Sequence, residues 1–399
     1  MKIVFDGALF SEKILIGKNS FGMHRISEEI VTRILEDEEV ELFFCNSTYS
    51  GVYEKNLEKY LQERLHLDRE RIISQKIPAL INSDLAAVIL KRVNKIRRLS
   101  VPVNNLSDYD IYHSFYLGFK PNIQRSGIKK SLTLLDILPI RTNGYWKDVK
   151  RTREIIESLK GNFAVSISQY TKEDVLDYDP SLDPESIFVA PLAASHSLFY
   201  QDKDKVRFEK VREKYGLPKD YILTLTSSDK RKNVGHMVLG FEKYIQEGGE
   251  DIHLVLAGNT THSTSLLDQL GISDKTRSKI VLPGRYIDDE DLAIVYSNAI
   301  AFLFMSHYEG FGLPVLEAMQ CGTPVIASDR TSIPEVVGTA GYLLDPNDLN
   351  VLSHSIGEIV SSDAIRQKMS QDSLVQASLF SWDKCYQDYK NYFKAINSI

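Results

Sequence analysis

Two doubly wound α/β domains in tandem are what this sequence predicts, and three observations carry the prediction. The chain's 399 residues are too many for one comfortable hydrophobic core and suit two domains of roughly 150 residues each. Short strand-like runs alternate with helical patterns from end to end, in two successive series. Several runs are apolar throughout rather than alternating, as strands buried on both faces of a parallel sheet read.

The first series comprises KIVFD (2–6), VELFFC (40–45), DIYHSFY (110–116), KSLTLLD (130–136), FAVSIS (163–168) and SIFVAP (186–191). The second comprises YILTLTS (221–227), IHLVLAG (252–258), KIVLPG (279–284), AIAFLFMS (299–306), TPVIASD (323–329) and AGYLLDP (340–346). A charged, helix-prone stretch over 196–218 separates them, which gives an N-terminal Rossmann-like domain over 1–198 and a C-terminal one over 199–380. From Phe380 the chain carries Trp382, Tyr386, Tyr389 and Phe393 at helical spacing with no strand after them. Residues 381–399 are therefore expected to form a final helix packed on something already built. There is no repeat of solenoid length and no low-complexity tract.

Composition removes several function classes. Hydrophobic residues make up 43% and charged ones 26% of the chain, which is ordinary for a globular protein. The formal net charge of -6 argues against a general nucleic-acid binder. Cys45, Cys321 and Cys385 are widely spaced and odd in number, so neither a disulfide scaffold nor a zinc site is expected, and a reducing compartment fits. No stretch reaches the ~18 apolar residues of a spanning helix, and MKIVFDGALF reads straight into a strand, so the expectation is a cytoplasmic protein.

The segment SHYEGFGLPVLEAMQCGTPVIASD, 306–329, holds the most chemistry. A strand leads into a glycine-bearing turn, and Pro314 sits where an early helical residue costs no hydrogen bond. A turn of this kind presents free backbone N–H groups and the positive end of a helix dipole, which suits a phosphate. Glu309 precedes the turn and Glu317 lies about one helical turn beyond it, its side chain leaning back towards the N-terminus. Carboxylates repel phosphates, so the pair is better suited to hydroxyls on either side of an anion, as in a nucleotide-sugar. Each glutamate also has a plain alternative, Glu317 serving the helix dipole and Glu309 being solvated in a loop.

The run from Tyr296 to Pro346 closely resembles the donor-site half of glycosyltransferase family 4 (glycosyl transferases group 1), the retaining GT-B enzymes that include bacterial mannosyl-, glucosyl- and rhamnosyltransferases. Other segments agree in order, least well over 46–105. The resemblance implies a GT-B fold, with the final helix crossing back onto the N-terminal domain. It also implies that Arg231 and Lys232 of SSDKRKN, beside Ser227, meet the donor diphosphate, and two cations there make chemical sense. Gly22 and Arg25 of FGMHRISEEI would face the donor across the cleft, and the backbone around Tyr286 would contact the nucleobase. Glu309 would hold the sugar together with the amides of Gly310, Phe311 and Gly312, next to Leu313, and Glu317 the ribose. Arg231, Lys232 and Glu309 are the implied catalytic residues.

One position departs from the family pattern. Where many members have a histidine near the transferred sugar, TLLD places Leu135, while Asp136 is kept. Leu135, Asp136 and His113 are assigned to the acceptor or sugar side. Leucine can neither donate a hydrogen bond nor hold a proton, so a deoxy sugar such as rhamnose joins mannose and glucose as a candidate.

Cofactors are expected to be absent. Four D-x-D matches begin at Asp108, Asp177, Asp202 and Asp289, as a chain with 54 acidic residues produces by chance, and no metal dependence is expected. No G-x-G-x-x-G follows the first strand, which argues against a nicotinamide dehydrogenase. The segment LAAVILKRVNKIRRL, 85–99, reads either as a surface helix or as an amphipathic helix resting on an anionic membrane. The expected protein is thus a retaining, metal-independent hexosyltransferase acting from a nucleoside-diphosphate sugar on a glycan or lipid-linked acceptor. A catalytically silent subunit and a nucleotide-sugar epimerase of the same fold are the alternatives.

Overall fold

The computed structural model describes residues 1–11, 22–45, 51–73, 106–142, 146–249, 251–258 and 260–399. The chain divides into two compact units, one formed by Met1–Ile167, Thr171–Ala190 and Asp383–Ile399, the other by Ser168–Tyr170 and Pro191–Trp382. The main change of unit falls slightly ahead of the expected 198/199. Residues 383–399 form no third body but belong to the first unit.

The first unit is built on a seven-stranded sheet: β1 (Lys2–Asp6), β2 (Glu41–Cys45), β3 (Ile72–Ile73), β4 (Ile111–Phe115), β5 (Lys129–Leu134), β6 (Phe163–Ser166) and β7 (Ile187–Val189). Their order in space is β3-β2-β1-β4-β5-β6-β7, and all pairs are parallel. The six strands expected in this half are present, and β3 was not foreseen because two isoleucines carry no period. Every residue of β4 is buried, which explains why its sequence does not alternate.

The helix Trp382–Ser398 completes this unit through polar as well as apolar contacts. Tyr389 Oη lies 2.9 Å from Thr133 Oγ1, and Tyr392 Oη donates to Ser131 Oγ at 2.5 Å. Phe393 packs on Phe5 and His113. Towards its start, Arg33 of the helix Gly22–Leu35 pairs with Asp383 at 2.8 Å, and Lys390 with Asp37 at 2.7 Å. Such a face, with aromatic hydroxyls meeting strand hydroxyls, satisfies buried polar groups that a purely apolar helix would strand.

The second unit holds a six-stranded parallel sheet: β8 (Tyr221–Thr226), β9 (His253–Gly258), β10 (Ile280–Val281), β11 (Ala301–Phe304), β12 (Val325–Ser328) and β13 (Tyr342–Leu344). The order β10-β9-β8-β11-β12-β13 reverses between β8 and β11. Its core joins Met237, Val238 and Phe241 of the helix Val234–Gln246 to Leu254, Leu256, Leu303 and Ile326 of the sheet and to Leu352, Ile356 and Ile359 of the helix Leu349–Ser361. At the end of β9, Gly258 has φ +126°, and a Cβ there would stand 2.4 Å from the Thr226 carbonyl oxygen, so only glycine lets these strand ends approach.

Candidate functional site

In an open parallel sheet the carboxyl ends of the two strands flanking the order reversal leave a crevice, because their helices depart to opposite faces. In the second unit those strands are β8 and β11. The residues after β8 are SSDKRKN, and those after β11 run from Met305 into the turn containing Glu309. The topology therefore brings together two segments far apart in the chain, both singled out for donor chemistry.

Their side chains meet. Asp229 Oδ1 accepts the Arg231 N–H at 3.0 Å and Asp229 Oδ2 accepts Arg231 Nε at 2.7 Å, which folds the segment into one turn of 3-10 helix. Arg231 Nη1 then reaches the Tyr308 carbonyl oxygen at 2.7 Å and Glu309 Oε1 at 2.7 Å. Lys232 Nζ also donates to Glu309 Oε1 at 2.7 Å and lies 4.7 Å from the centre of the Phe304 ring. Both cations share one oxygen of Glu309, and Oε2 takes part in neither pair. Glu309 is only 8% exposed. Burial alone would push its carboxyl up, but Lys232 and Arg231 outweigh it and hold the group below its ordinary range.

The expectation of two cations waiting for a diphosphate is thus modified. Asp229 and Glu309 balance Arg231 and Lys232 charge for charge. Any anion that approaches these two cations competes with the carboxylates.

After Glu309 the chain turns through Gly310 and Phe311 to Gly312, whose φ of +108° needs a glycine, and the helix Leu313–Gln320 begins. Pro314 is in its first turn, as the sequence suggests. Phe311 is buried edge-on against Phe380, so only its backbone can serve a ligand. Glu317 is half-buried, with Tyr296 Oη 3.5 Å from its Oε2. Ser227 is half-buried and accepts the Asp229 N–H through Oγ at 3.1 Å. Tyr286 lies in the loop after β10 with its side chain 70% exposed.

Hydroxyl groups hold the backbone of this turn, and no sequence pattern signals them. Thr331 Oγ1 accepts the Glu309 N–H at 3.0 Å, Ser332 Oγ donates to the Glu309 carbonyl oxygen at 2.9 Å, and Ser168 Oγ donates to that of Gly310 at 2.7 Å. A lone serine and a Thr-Ser pair read as ordinary loop composition.

In the first unit, Gly22 opens the helix Gly22–Leu35, with Arg25 half-buried in its first turn. Leu135 and Asp136 are half-buried just past β5, where Asp136 Oδ1 accepts the Leu138 N–H at 3.0 Å. His113 corrects an expectation. It is fully buried in β4, bonded to Ser131 Oγ at 2.7 Å and Thr133 Oγ1 at 3.0 Å and enclosed by Phe5, Phe115, Tyr389 and Phe393. It is a core histidine that ties the sheet to the helix Trp382–Ser398, with no access to a sugar. Burial lowers its pKa to about 3, so it is neutral.

The D-x-D match at Asp289 lies beside the one acidic group of metal-binding size among the described residues, Asp288, Glu290 and Asp291. Lys214 pairs with Asp291 at 2.6 Å and Asp288 at 2.9 Å, and Arg285 with Asp288 at 2.8 Å. Asp288 and Asp291 are held by cations of their own. Residues 85–99 lie outside the described residues. Among the described residues no helix is long and apolar enough to cross a membrane.

The sequence profile of the family described as glycosyl transferases group 1 matches residues 207–374. Over 386 residues the chain is 28% identical to the O-antigen chain mannosyltransferase B of Escherichia coli, covering 94% of this chain and 96% of that one. Among solved structures, sucrose-phosphate synthase from Thermosynechococcus elongatus superposes with a TM-score of 0.67 at 17% identity, over 100% of this chain and 99% of that one. HepE of Anabaena, solved in complex with UDP and glucose, gives a TM-score of 0.66 at 15% identity, over 99% of this chain and 100% of that one. These structural likenesses show a shared architecture of two Rossmann-like domains with a C-terminal helix.

Proposed function

Since the chain belongs to the glycosyl transferases group 1 and is a GT-B glycosyltransferase, we propose that it moves a hexosyl unit, mannose foremost, from a nucleoside-diphosphate sugar onto a growing polysaccharide. The observation that carries this reading is the meeting of Arg231, Lys232 and Glu309 at the order reversal of the second sheet. The similarity to a mannosyltransferase over nearly the whole of both chains supports the choice of sugar and of polymer. It favours an enzyme over a silent subunit, and transfer over epimerisation.

In this reading Arg231, Lys232 and the N-terminal amides of the helix Leu313–Gln320 stabilise charge growing on the leaving diphosphate, without a metal ion. Glu309 Oε2, outside the ion pairs, accepts a hydrogen bond from a sugar hydroxyl. Ser227 lies by the phosphates, Glu317 holds the ribose, and the backbone near Tyr286 meets the base. Attack comes from the face that the diphosphate leaves, a diphosphate oxygen taking the acceptor's proton, so the anomeric configuration is retained. Gly22 and Arg25 assist at the phosphates, and Leu135 and Asp136 serve the sugar or acceptor side. The acceptor is a glycan, lipid-linked in one version, with residues 85–99 resting on the inner face of the membrane.

A thermal-shift screen of GDP-, UDP- and dTDP-sugars, followed by donor consumption with and without a mannan-type oligosaccharide, tests this reading. Stabilisation by a sugar nucleotide and acceptor-dependent release of its diphosphate are expected. Release of a free epimeric sugar nucleotide, or no turnover of any donor, would sink it.

A further inference from the structure

Thr331, in the loop between β12 and the helix Ile333–Val337, has φ +58°. For a β-branched residue that region is a genuine outlier, and a glycine or asparagine would occupy it at lower cost. The outlier has a specific consequence. It places Oγ1 3.0 Å from the Glu309 nitrogen, while the next residue, fully buried Ser332, holds the Glu309 carbonyl at 2.9 Å. Both peptide groups of one glutamate are thereby fixed by two consecutive residues, and the carboxylate they carry meets Arg231 and Lys232.

Glu309 stands in a loop, where a peptide rotation would swing its carboxylate off the cations. Rigid support of a reacting constellation has to come from elements behind it, and the Thr331–Ser332 pair is that support. A turn chosen only to change direction would have no need of a hydroxyl-bearing, β-branched residue. Backbone strain that persists only because its surroundings fix it is a recurrent mark of functional sites.

We infer that Thr331 is a positioning residue for the transfer reaction, holding the left-handed conformation so that its hydroxyl fixes the Glu309 peptide and with it the carboxylate. The inference rests on the reading that Glu309 holds the transferred sugar. Thr331 touches neither donor nor acceptor.

Four variants test it: Thr331→Val, of the same shape without the hydroxyl; Thr331→Ser, which keeps it; Thr331→Gly, which relieves the backbone; and Glu309→Gln. Steady-state turnover of the donor selected by thermal shift is measured beside melting temperature. Thr331→Val should lower kcat about tenfold, with the donor KM within about twofold, because the lost interaction positions rather than binds. Thr331→Ser should retain kcat within about threefold. Thr331→Gly should melt close to the wild type yet share the loss in kcat, which separates positioning from stability. Wild-type kcat in Thr331→Val or Thr331→Gly, with Glu309→Gln impaired, overturns the inference alone, as does a Thr331→Ser variant as slow as Thr331→Val. Wild-type turnover by Glu309→Gln overturns the role of Glu309 and the inference with it.

Discussion

Lys232 Nζ stands 2.7 Å from Glu309 Oε1, so the side chain assigned to a diphosphate is already bound to the one assigned to a sugar. The same oxygen also receives Arg231. On the roles proposed above, donor binding is an exchange of partners.

Glu309→Gln removes a negative charge beside the proposed phosphate site and keeps the side chain's shape. Bare nucleoside diphosphate should bind more tightly to this variant, by up to about tenfold, the equivalent of ~1.4 kcal/mol, while turnover of the sugar nucleotide falls. Titration calorimetry with the free diphosphate reads the first effect and donor consumption the second. Affinity that stays the same or weakens would contradict the exchange.

Replacing Arg231 and Lys232 together by alanine should weaken diphosphate binding and also destabilise the fold, because Glu309 would be left as a buried charge without a partner. Loss of one side of a buried pair costs on the order of 3 kcal/mol, visible as a lower melting temperature. Adding Glu309→Gln to the double variant should recover much of that stability but none of the binding. The cluster also has an acid limit: since the Glu309 carboxyl is held below its ordinary 4.5, its contribution is complete above that value and is lost as pH falls through the folded pKa.

His113 acts in the same sense but over a higher pH window. Its folded pKa of about 3 lies below the ordinary 6.5, so the unfolded chain takes up a proton first and stability declines as pH falls from 6.5 towards 3. Urea unfolding of the wild type and of His113→Leu, followed from pH 7 to pH 4, should show a less stable variant with a flatter acid limb. Parallel curves would mean that His113 does not titrate on unfolding.

Gly258→Ala tests the closeness of β8 and β9 at their carboxyl ends. A methyl group there combines a contact of 2.4 Å with backbone oxygen and a φ of +126°, and a loss of roughly 2 kcal/mol or more is expected. Thermal denaturation at the wild-type midpoint would show the approach to be less tight.

Strands were the most legible feature of this sequence, because those of a parallel sheet are apolar on both faces and end at glycine, proline or aspartate. Ile72–Ile73 are not legible, since two residues have no pattern. Arg231, Lys232 and Glu309 could be selected from motif and resemblance, but their mutual pairing could not, because it depends on β8 and β11 becoming neighbours. The core role of His113 is hidden for a related reason: its partners, Ser131, Thr133 and the rings of the helix Trp382–Ser398, are distant in sequence. Thr331 left no trace at all, as left-handed backbone usually announces itself through glycine or asparagine.

The helix Trp382–Ser398 lies on a sheet assembled from residues made long before it. On the ribosome, β4 and β5 emerge with Ser131 and Thr133 still lacking the tyrosine hydroxyls of Tyr392 and Tyr389. The first unit therefore cannot reach its final packing until the whole of the second has been synthesised. Nascent chains of this protein carry an open hydrophobic face through most of translation, and a chaperone that shields such surfaces would find its substrate in that interval.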